Sequence, residues 1–304
     1  MFSSILRLGI ILPAFIMAVL ATPVQLNRRD ISSKLLDDFS LHAQFAFLAR
    51  CDQNINGTRG KLSCDQGPCD LVQAHDTEII DNYHRIDNAT GYIALDHTRK
   101  SIIVTFRGTV SNADGEADQH FLTTYVPEFC EKCQVHQGFW AYWKSAEEQV
   151  VSRLEQATKE NPDYSIAVAG HSLGGAVATL AGTALRQKGF TLDIWTFGSP
   201  QVGSIELAQF ITEQRKPVSV YRATNYRDGI PALPGRLLGY RHPSPEFWIN
   251  QTSGHKVTTD VVKVIEGIEN TSGNQDHHDW GYNANHDWYF GTVNICAESV
   301  DQGK

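Results

Sequence analysis

The chain has 304 residues, 41% hydrophobic and 20% charged, with a formal net charge of -8. Such a length and composition fit one large domain with a substantial core. The acidic balance, stronger still once Arg7, Arg28 and Arg29 near the amino terminus are removed, argues against nucleic acid or anionic membranes as partners and leaves neutral lipid and polysaccharide open.

Residues 1–21 carry one early charge, Arg7, then a mostly apolar run from Leu8 to Leu20 that ends in Val19-Leu20-Ala21. This is the pattern of a secretory signal peptide with a small-residue cleavage site. The run falls short of the roughly 20 residues a spanning helix needs, so no transmembrane anchor is expected. The dibasic pair Arg28-Arg29 marks residues 22–29 as a propeptide. Residues 30–304 read as one catalytic domain, expected as a secreted, extracellular monomer, because no Pro- or Ser-rich linker and no repeat divides them.

Within that domain, Leu35, Phe39, Ala43 and Ala46 recur at helical spacing and predict an opening helix that leads to Cys51. A cysteine- and turn-rich stretch follows. Glu78–Tyr83 and Gly91–Asp96 read as antiparallel strands and Ser101–Arg107 as a fully buried one. The face Phe139, Trp143, Ala146, Val150, Leu154, Ala157 predicts a helix ending at Asn161-Pro162. Next come a strand over Tyr164–Ala169, a helix over Ala176–Gln187, a strand over Leu192–Phe197, a helix over Ser204–Glu213 and a strand over Pro217–Ala223. Alternating strand and helix predicts an α/β fold with a mostly parallel central sheet and helices on both faces. The tail from Tyr226 reads as loop-rich, and loops are where catalytic side chains are usually mounted.

Six cysteines in a secreted chain suggest three disulfides, for which 15 pairings exist. Cys64 with Cys69 and Cys130 with Cys133 look like local staples, which leaves Cys51 and Cys296 to join the two ends. A zinc site needs Cys-x-x-Cys in pairs, and only one is present. Four Asn-x-Ser/Thr sequons, at Asn56, Asn88, Asn250 and Asn270, are glycosylation candidates in keeping with a secretory route.

Between the strand at Tyr164–Ala169 and the helix after it lies Gly170-His-Ser-Leu-Gly174, a Gly-x-Ser-x-Gly corner. In this context it reads as a nucleophile elbow, with Ser172 strained at a sharp turn and its hydroxyl presented at a helix N-terminus. A serine nucleophile needs a base, and the base a carboxylate, in the chain order Ser, Asp or Glu, His for an α/β-hydrolase fold. Asp228, just past the end of a strand, is the leading acid; Asp193 is an alternative at the opposite edge of the sheet. His286 is the leading base, although His242, His255, His277 and His278 also satisfy the order. The pair His277-His278 has no further ligand spacing, so no metal is expected, and the serine mechanism calls for no cofactor.

At these residues the sequence resembles the class 3 lipases of filamentous fungi, a family that also contains mono- and diacylglycerol lipases and feruloyl esterases. The resemblance covers nearly all of the mature chain. It rests on Thr105-Phe-Arg-Gly-Thr109, Gly170-His-Ser-Leu-Gly174, Phe197-Gly-Ser-Pro-Gln-Val-Gly203, Asp228-Gly-Ile-Pro-Ala-Leu-Pro234, Gly239-Tyr-Arg-His242, Pro245-Glu-Phe-Trp248, His286-Asp-Trp-Tyr-Phe-Gly291 and all six cysteines. It implies an α/β-hydrolase with Ser172, Asp228 and His286 as the triad and with Thr109 and Leu173 as oxyanion donors. It also implies the disulfides Cys51–Cys296, Cys64–Cys69 and Cys130–Cys133.

Two positions depart from the lipases of the family. Where these carry an amphipathic lid with an apolar centre, this chain reads Ser111-Asn-Ala-Asp-Gly-Glu-Ala-Asp-Gln-His120, with nothing apolar larger than alanine, so weak interfacial activation is expected. Where Leu often follows the catalytic histidine, this chain has Asp287. The expected function is a secreted serine ester hydrolase that cleaves acylglycerols, at a lipid–water interface or in solution, through an acyl-enzyme on Ser172. The alternative is a feruloyl-type or other carboxylesterase acting on more polar esters. A non-enzymatic binding module would show a broken triad or oxyanion motif, and both are intact in the sequence.

Overall fold

The structure, a computed structural model, describes residues 30–56, 59–83, 89–108, 121–214 and 219–296. The signal and propeptide segments, Asn88, Thr109 and the polar stretch 111–120 lie outside these. The described helices are α1 (Ser33–Leu48), α2 (Asp52–Ile55), α3 (Asp70–Gln73), α4 (Gln137–Glu160), α5 (Leu173–Gln187), α6 (Ile205–Glu213) and α7 (Asn274–His277). The strands are β1 (Thr77–Tyr83), β2 (Gly91–Asp96), β3 (Ser101–Phe106), β4 (Thr123–Tyr125), β5 (Gln134–His136), β6 (Ser165–His171) and β7 (Asp193–Phe197). They continue with β8 (Gly203–Ser204), β9 (Val220–Asn225), β10 (Tyr240–Arg241), β11 (Glu246–Ile249) and β12 (Val262–Ile265). Among the described residues no helix is long and apolar enough to cross a membrane.

Eight strands form the main sheet in the order β1-β2-β3-β6-β7-β9-β11-β12. From β3 to β11 neighbouring strands are parallel, and antiparallel pairs close both edges. A small antiparallel sheet, β10-β8-β5-β4, stands beside it. The parallel strands are stepped in one direction, so the right-handed crossovers through α4, α5 and α6 all fall on one face. There Trp143, Val150, Leu154, Val177, Leu180, Leu207 and Ile211 pack on Val104, Val168 and Ile194. The opposite face is covered by α1 together with the C-terminal segment. Phe39 is fully buried there, with Trp195, Phe247 and Phe290 at ring separations of 5.2, 4.9 and 5.0 Å. Ser32 starts α1 by accepting the Leu35 N–H on its hydroxyl at 3.1 Å.

The expected strands and helices appear, with shifts at their ends. The helix after Ser172 begins at Leu173 rather than Ala176, because Gly174 and Gly175 sit inside its first turn, where close packing excludes larger residues. The tail from Tyr226 departs further from expectation, since it contributes β11 and β12 to the main sheet. β11 opens with a glutamate, which hides its buried character. Glu246 is only 4% exposed, with its carboxylate 3.6 Å from the Arg222 guanidinium and hydrogen-bonded by the Thr224 hydroxyl.

Three disulfides join Cys51 to Cys296, Cys64 to Cys69 and Cys130 to Cys133. The first connects the end of α1 to the C-terminal segment on the same face of the sheet. By the loop-entropy argument its closure of 245 residues is the most stabilising of the three, at about 5 kcal/mol. Replacing Cys51 and Cys296 together with Ala is therefore expected to lower the urea midpoint more than removing either local bridge.

His42 on α1 stacks on Trp195 at 4.1 Å, and its Nδ1–H donates to the Asp38 carbonyl at 2.7 Å. Burial lowers its pKa to about 4, only partly opposed by that hydrogen bond. Between pH 6.5 and about 4 the unfolded chain takes up a proton that the folded one refuses, so stability falls as pH drops, by at most about 1.4 kcal/mol per unit. In chemical denaturation at a series of pH values, His42→Phe is expected to flatten this acid limb.

Candidate active site

Strand β6 and helix α5 meet at Ser172 at very short range. A Cβ on Gly170 would lie 2.1 Å from the Gly174 carbonyl oxygen, and one on Gly174 would lie 2.1 Å from that of Phe106. Only glycine fits either place. Between them Ser172 takes φ 57° and ψ -130°, a conformation that L-residues rarely adopt. It is held there by its backbone N–H, which donates to the Phe197 carbonyl at 2.9 Å. The hydroxyl thus stands at the carboxyl edge of the parallel sheet, directly before the first residue of α5.

At that edge the Ser172 Oγ lies 2.8 Å from His286 Nε2, and His286 Nδ1 lies 2.8 Å from Asp228 Oδ2. Asp228 follows the end of β9, and His286 lies in a single 3-10 turn, Ala284–Asp287, capped by the Asn283 side chain. Asp228 is fully buried and His286 nearly so, whereas Ser172 is partly open to the pocket. The Asp228 carboxylate is fully engaged: Oδ1 accepts the Ile230 N–H at 3.0 Å, and Oδ2 accepts the Tyr289 hydroxyl at 2.5 Å as well as the imidazole. Donors of this kind fix the direction of a buried carboxylate.

The alternatives by chain order are not at this place. His242 is half-buried, with its ring nitrogen 2.7 Å from the Pro231 carbonyl, His277 and His278 bind the Gly273 and Gln275 carbonyls, and His255 is exposed. Asp193 sits at the amino end of β7, accepting the Ser219 N–H at 2.8 Å. Leu173 is the first residue of α5, where N–H groups have no partner within the helix. Thr109 lies outside the described residues, but its neighbour Gly108 is packed on the elbow. A Cβ there would be 2.9 Å from the His171 carbonyl oxygen and 3.4 Å from Ser172 Cβ. Among the described residues no three His, Cys, Asp or Glu side chains cluster as a metal site would require.

Three residues that support the constellation were not singled out in the sequence. The Tyr289 hydroxyl donates to Asp228 and accepts the Asn225 N–H at 3.2 Å; burial, reinforced by the Asp228 charge, pushes its pKa well above 10 and keeps it a donor. It belongs to the aromatic run after His286, the one local signal that could have drawn attention to it. Asn274 donates through Nδ2 to the Asp228 carbonyl at 2.8 Å, while its own N–H reaches Glu246 at 3.1 Å. Nothing local in the sequence announces it. His171 donates from Nε2 to the His286 carbonyl at 2.9 Å, with the rings 4.6 Å apart. Burial first, and then the neighbouring His286 and Arg50, holds its pKa well below 6.5, so it stays neutral.

A cavity of about 340 Å³ opens onto Ser172. Phe121, Phe139, Leu173, Pro200, Ile230, Leu233 and Pro234 give it apolar walls, while Arg50, Tyr282 and Asp287 bring polar groups to it. The Tyr282 hydroxyl donates to the Asp287 carboxylate. The arrangement is an apolar channel ending at a hydroxyl whose proton has an imidazole to go to.

The family described as Lipase (class 3) matches residues 103–238. Secreted mono- and diacylglycerol lipase A of Penicillium cyclopium is 37% identical over 258 residues, 84% of this chain and 83% of that protein. Secreted mono- and diacylglycerol lipase 1 of Fusarium solani is 34% identical over 247 residues, 80% of this chain and 73% of the other. Among solved structures, a mutant form of the Penicillium cyclopium protein superposes with a TM-score of 0.81 at 35% identity, covering 88% of this chain and 100% of that one. The mono- and diacylglycerol lipase of Aspergillus oryzae gives 0.80 at 34%, covering 86% and 98%. With similarity of this extent in sequence and in structure, the chain has the α/β-hydrolase fold and belongs to the class 3 lipase family.

Proposed function

We propose that the protein is a secreted carboxylic ester hydrolase that cleaves acylglycerols, and that Ser172, His286 and Asp228 carry the reaction. The observation that supports this most strongly is the unbroken chain of 2.8 Å contacts from Ser172 Oγ through His286 to Asp228 at the end of an apolar cavity. The Ser172 oxygen attacks the ester carbonyl while its proton passes to His286 Nε2, and Asp228 stabilises the imidazolium through Nδ1–H. The tetrahedral oxyanion is received by the Leu173 N–H at the start of α5 and by Thr109. His286 then protonates the leaving alkoxide, which departs as a glycerol hydroxyl. Water, deprotonated by the same imidazole, releases the fatty acid from the acyl-enzyme.

The relatives named as mono- and diacylglycerol lipases point to partial glycerides as substrates. The polar wall made by Asp287 and Tyr282 suits this, because a mono- or diacylglycerol presents a free hydroxyl beside the scissile ester. The mature chain is taken to start near Asp30, after the signal segment and residues 22–29, and to be monomeric. The exposed Asn56, Asn250 and Asn270 are taken as acceptors for N-linked glycan.

Turnover of a monoglyceride, tributyrin, a long-chain triglyceride emulsion and methyl ferulate, compared side by side, tests the assignment. Hydrolysis of the acylglycerols is expected, and activity confined to the ferulate would overturn it. Ser172→Ala is expected to stay folded and to lose activity by about a million-fold, the scale seen when a serine hydrolase loses its nucleophile.

Tyr289→Phe keeps the ring but takes one donor from Asp228 and the acceptor from the Asn225 N–H. A loss of kcat of about ten- to a hundredfold, with KM little changed, is expected, since a hydrogen bond to a charged group is worth about 1.5–3 kcal/mol. A change confined to KM would place Tyr289 in substrate binding instead.

A further inference from the structure

The cavity at Ser172 has two unlike parts. Phe139, Leu173, Pro200, Leu233 and Pro234 give it an apolar wall suited to an acyl chain. Around His286 the lining is charged. Asp287 follows the histidine directly, the Tyr282 ring lies 5.6 Å from the imidazole, and the Tyr282 hydroxyl donates to the Asp287 carboxylate. The half-buried Arg50 reaches the same cavity from the end of α1, and its charge bears on His171, whose ring is 4.6 Å from that of His286. Among the described residues that line the cavity, Arg50 carries the one guanidinium and Asp287 the one carboxylate.

The placing of these two groups is built into the fold. The Arg50 N–H donates to the Phe47 carbonyl at 2.9 Å, just past the last turn of α1, and the next residue, Cys51, is bridged to Cys296. The segment that ends in Cys296 folds back on Asp287, whose carbonyl accepts the Val293 N–H at 2.9 Å. The bridge thus ties the base of the cation to the base of the anion. Both stand on the side of His286, the group that protonates the departing alcohol, so they face the alcohol part of a substrate rather than its acyl part. A glycerol hydroxyl offers a guanidinium no more than water does, whereas the oxygens of a phosphate match its planar fork two at a time. Asp287 repels a bare phosphate. A headgroup that carries a quaternary ammonium beyond the phosphate turns that repulsion into attraction, with the Tyr282 ring beside it.

We propose that Arg50 and Asp287 form a receptor for the zwitterionic headgroup of a monoacyl glycerophospholipid, with phosphate on Arg50 and ammonium on Asp287 and Tyr282, and that the protein deacylates such a lipid as well as a glyceride. The proposal rests on the reading of Ser172 as the hydrolytic centre. Ser172 Oγ bonds to the acyl carbon, the bond from that carbon to the glycerol oxygen breaks, and the proton taken up by His286 passes to that oxygen. Water then releases the fatty acid and restores the serine, while the glycerophospho-headgroup leaves with its phosphate ester bonds intact. A monoacyl lipid suits the cavity because one apolar wall serves one chain, and the free hydroxyl it carries is the one a partial glyceride also presents. The recognition is local to one guanidinium, in a chain whose net charge of -8 gives no general attraction to anionic lipid.

The test uses the full chain with the monodecanoyl esters of glycerol, glycerophosphocholine and glycerophosphate, each dissolved below its micellar concentration. Release of decanoate from the glycerophosphocholine ester is expected, in preference to the glycerophosphate ester. Arg50→Gln should lower kcat/KM for the glycerophosphocholine ester relative to the glycerol ester by about ten- to a hundredfold, through KM, and Arg50→Lys should restore part of that ratio. Asp287→Asn should reverse the preference between the two phosphate esters. A ratio unmoved by Arg50→Gln overturns the proposal, as does an equal loss on all three esters, which is what a merely structural role for Arg50 would give. So does a chain that cleaves the glycerol ester and leaves the glycerophosphocholine ester intact, or a preference between the phosphate esters that Asp287→Asn does not move. Failure to cleave both the glycerol ester and dissolved p-nitrophenyl butyrate would instead overturn the Ser172 reading.

Discussion

The approach of α5 to the carboxyl ends of β3 and β6 is the constraint on which the site depends. With the helix start pressed against the Phe106 carbonyl, there is no room for a Cβ at Gly174 or Gly170, and the chain can turn from strand to helix only through the unusual torsions of Ser172. The strain at this one residue is offset by the packing of a helix whose first thirteen residues are all buried. The hydroxyl is consequently fixed in direction before any substrate arrives. The other members come to it along the same edge, Asp228 from the end of β9 and His286 from a turn pinned by His171 and capped by Asn283.

Strand order explains why the support for the histidine comes from far away in sequence. Because β3, β6, β7 and β9 are laid down in one direction, their crossover helices accumulate on a single face and leave the other bare. α1 and the last described residues cover it, with Phe39, Tyr289, Val293 and Ile295 in one cluster, and the Cys51–Cys296 bridge clamps the two coverings together. Tyr289 thus belongs at once to that cluster and to the hydrogen-bond set of Asp228. Packing on one face and charge placement on the edge share a side chain.

How much of this was legible in the sequence follows from how local each cause is. The elbow was legible because the Cβ exclusions that create it fall within five consecutive residues. The crossover helices were legible because each has a buried face of regular period. β11 was not, because a buried ion pair replaced the apolar residue that its first position would ordinarily show. Asn274 was not, because its importance lies in carbonyls of Tyr226 and Asp228 that only the folded chain brings within reach. Chain order alone left five histidines eligible; geometry brings one of them to the serine. Tyr289 stood in a recognisable run, yet its hydroxyl's two partners are assigned by the fold alone.

His286 lies on the covering segment that Cys296 secures, far beyond Ser172 and Asp228 in the chain. A chain emerging vectorially during synthesis lays down the elbow and its helix first and the acid next, with the proposed base added only when the last segment folds back over α1. Until then the serine has no partner to take its proton. Under the proposed mechanism the chain therefore gains hydrolytic competence only with the closure of the whole domain.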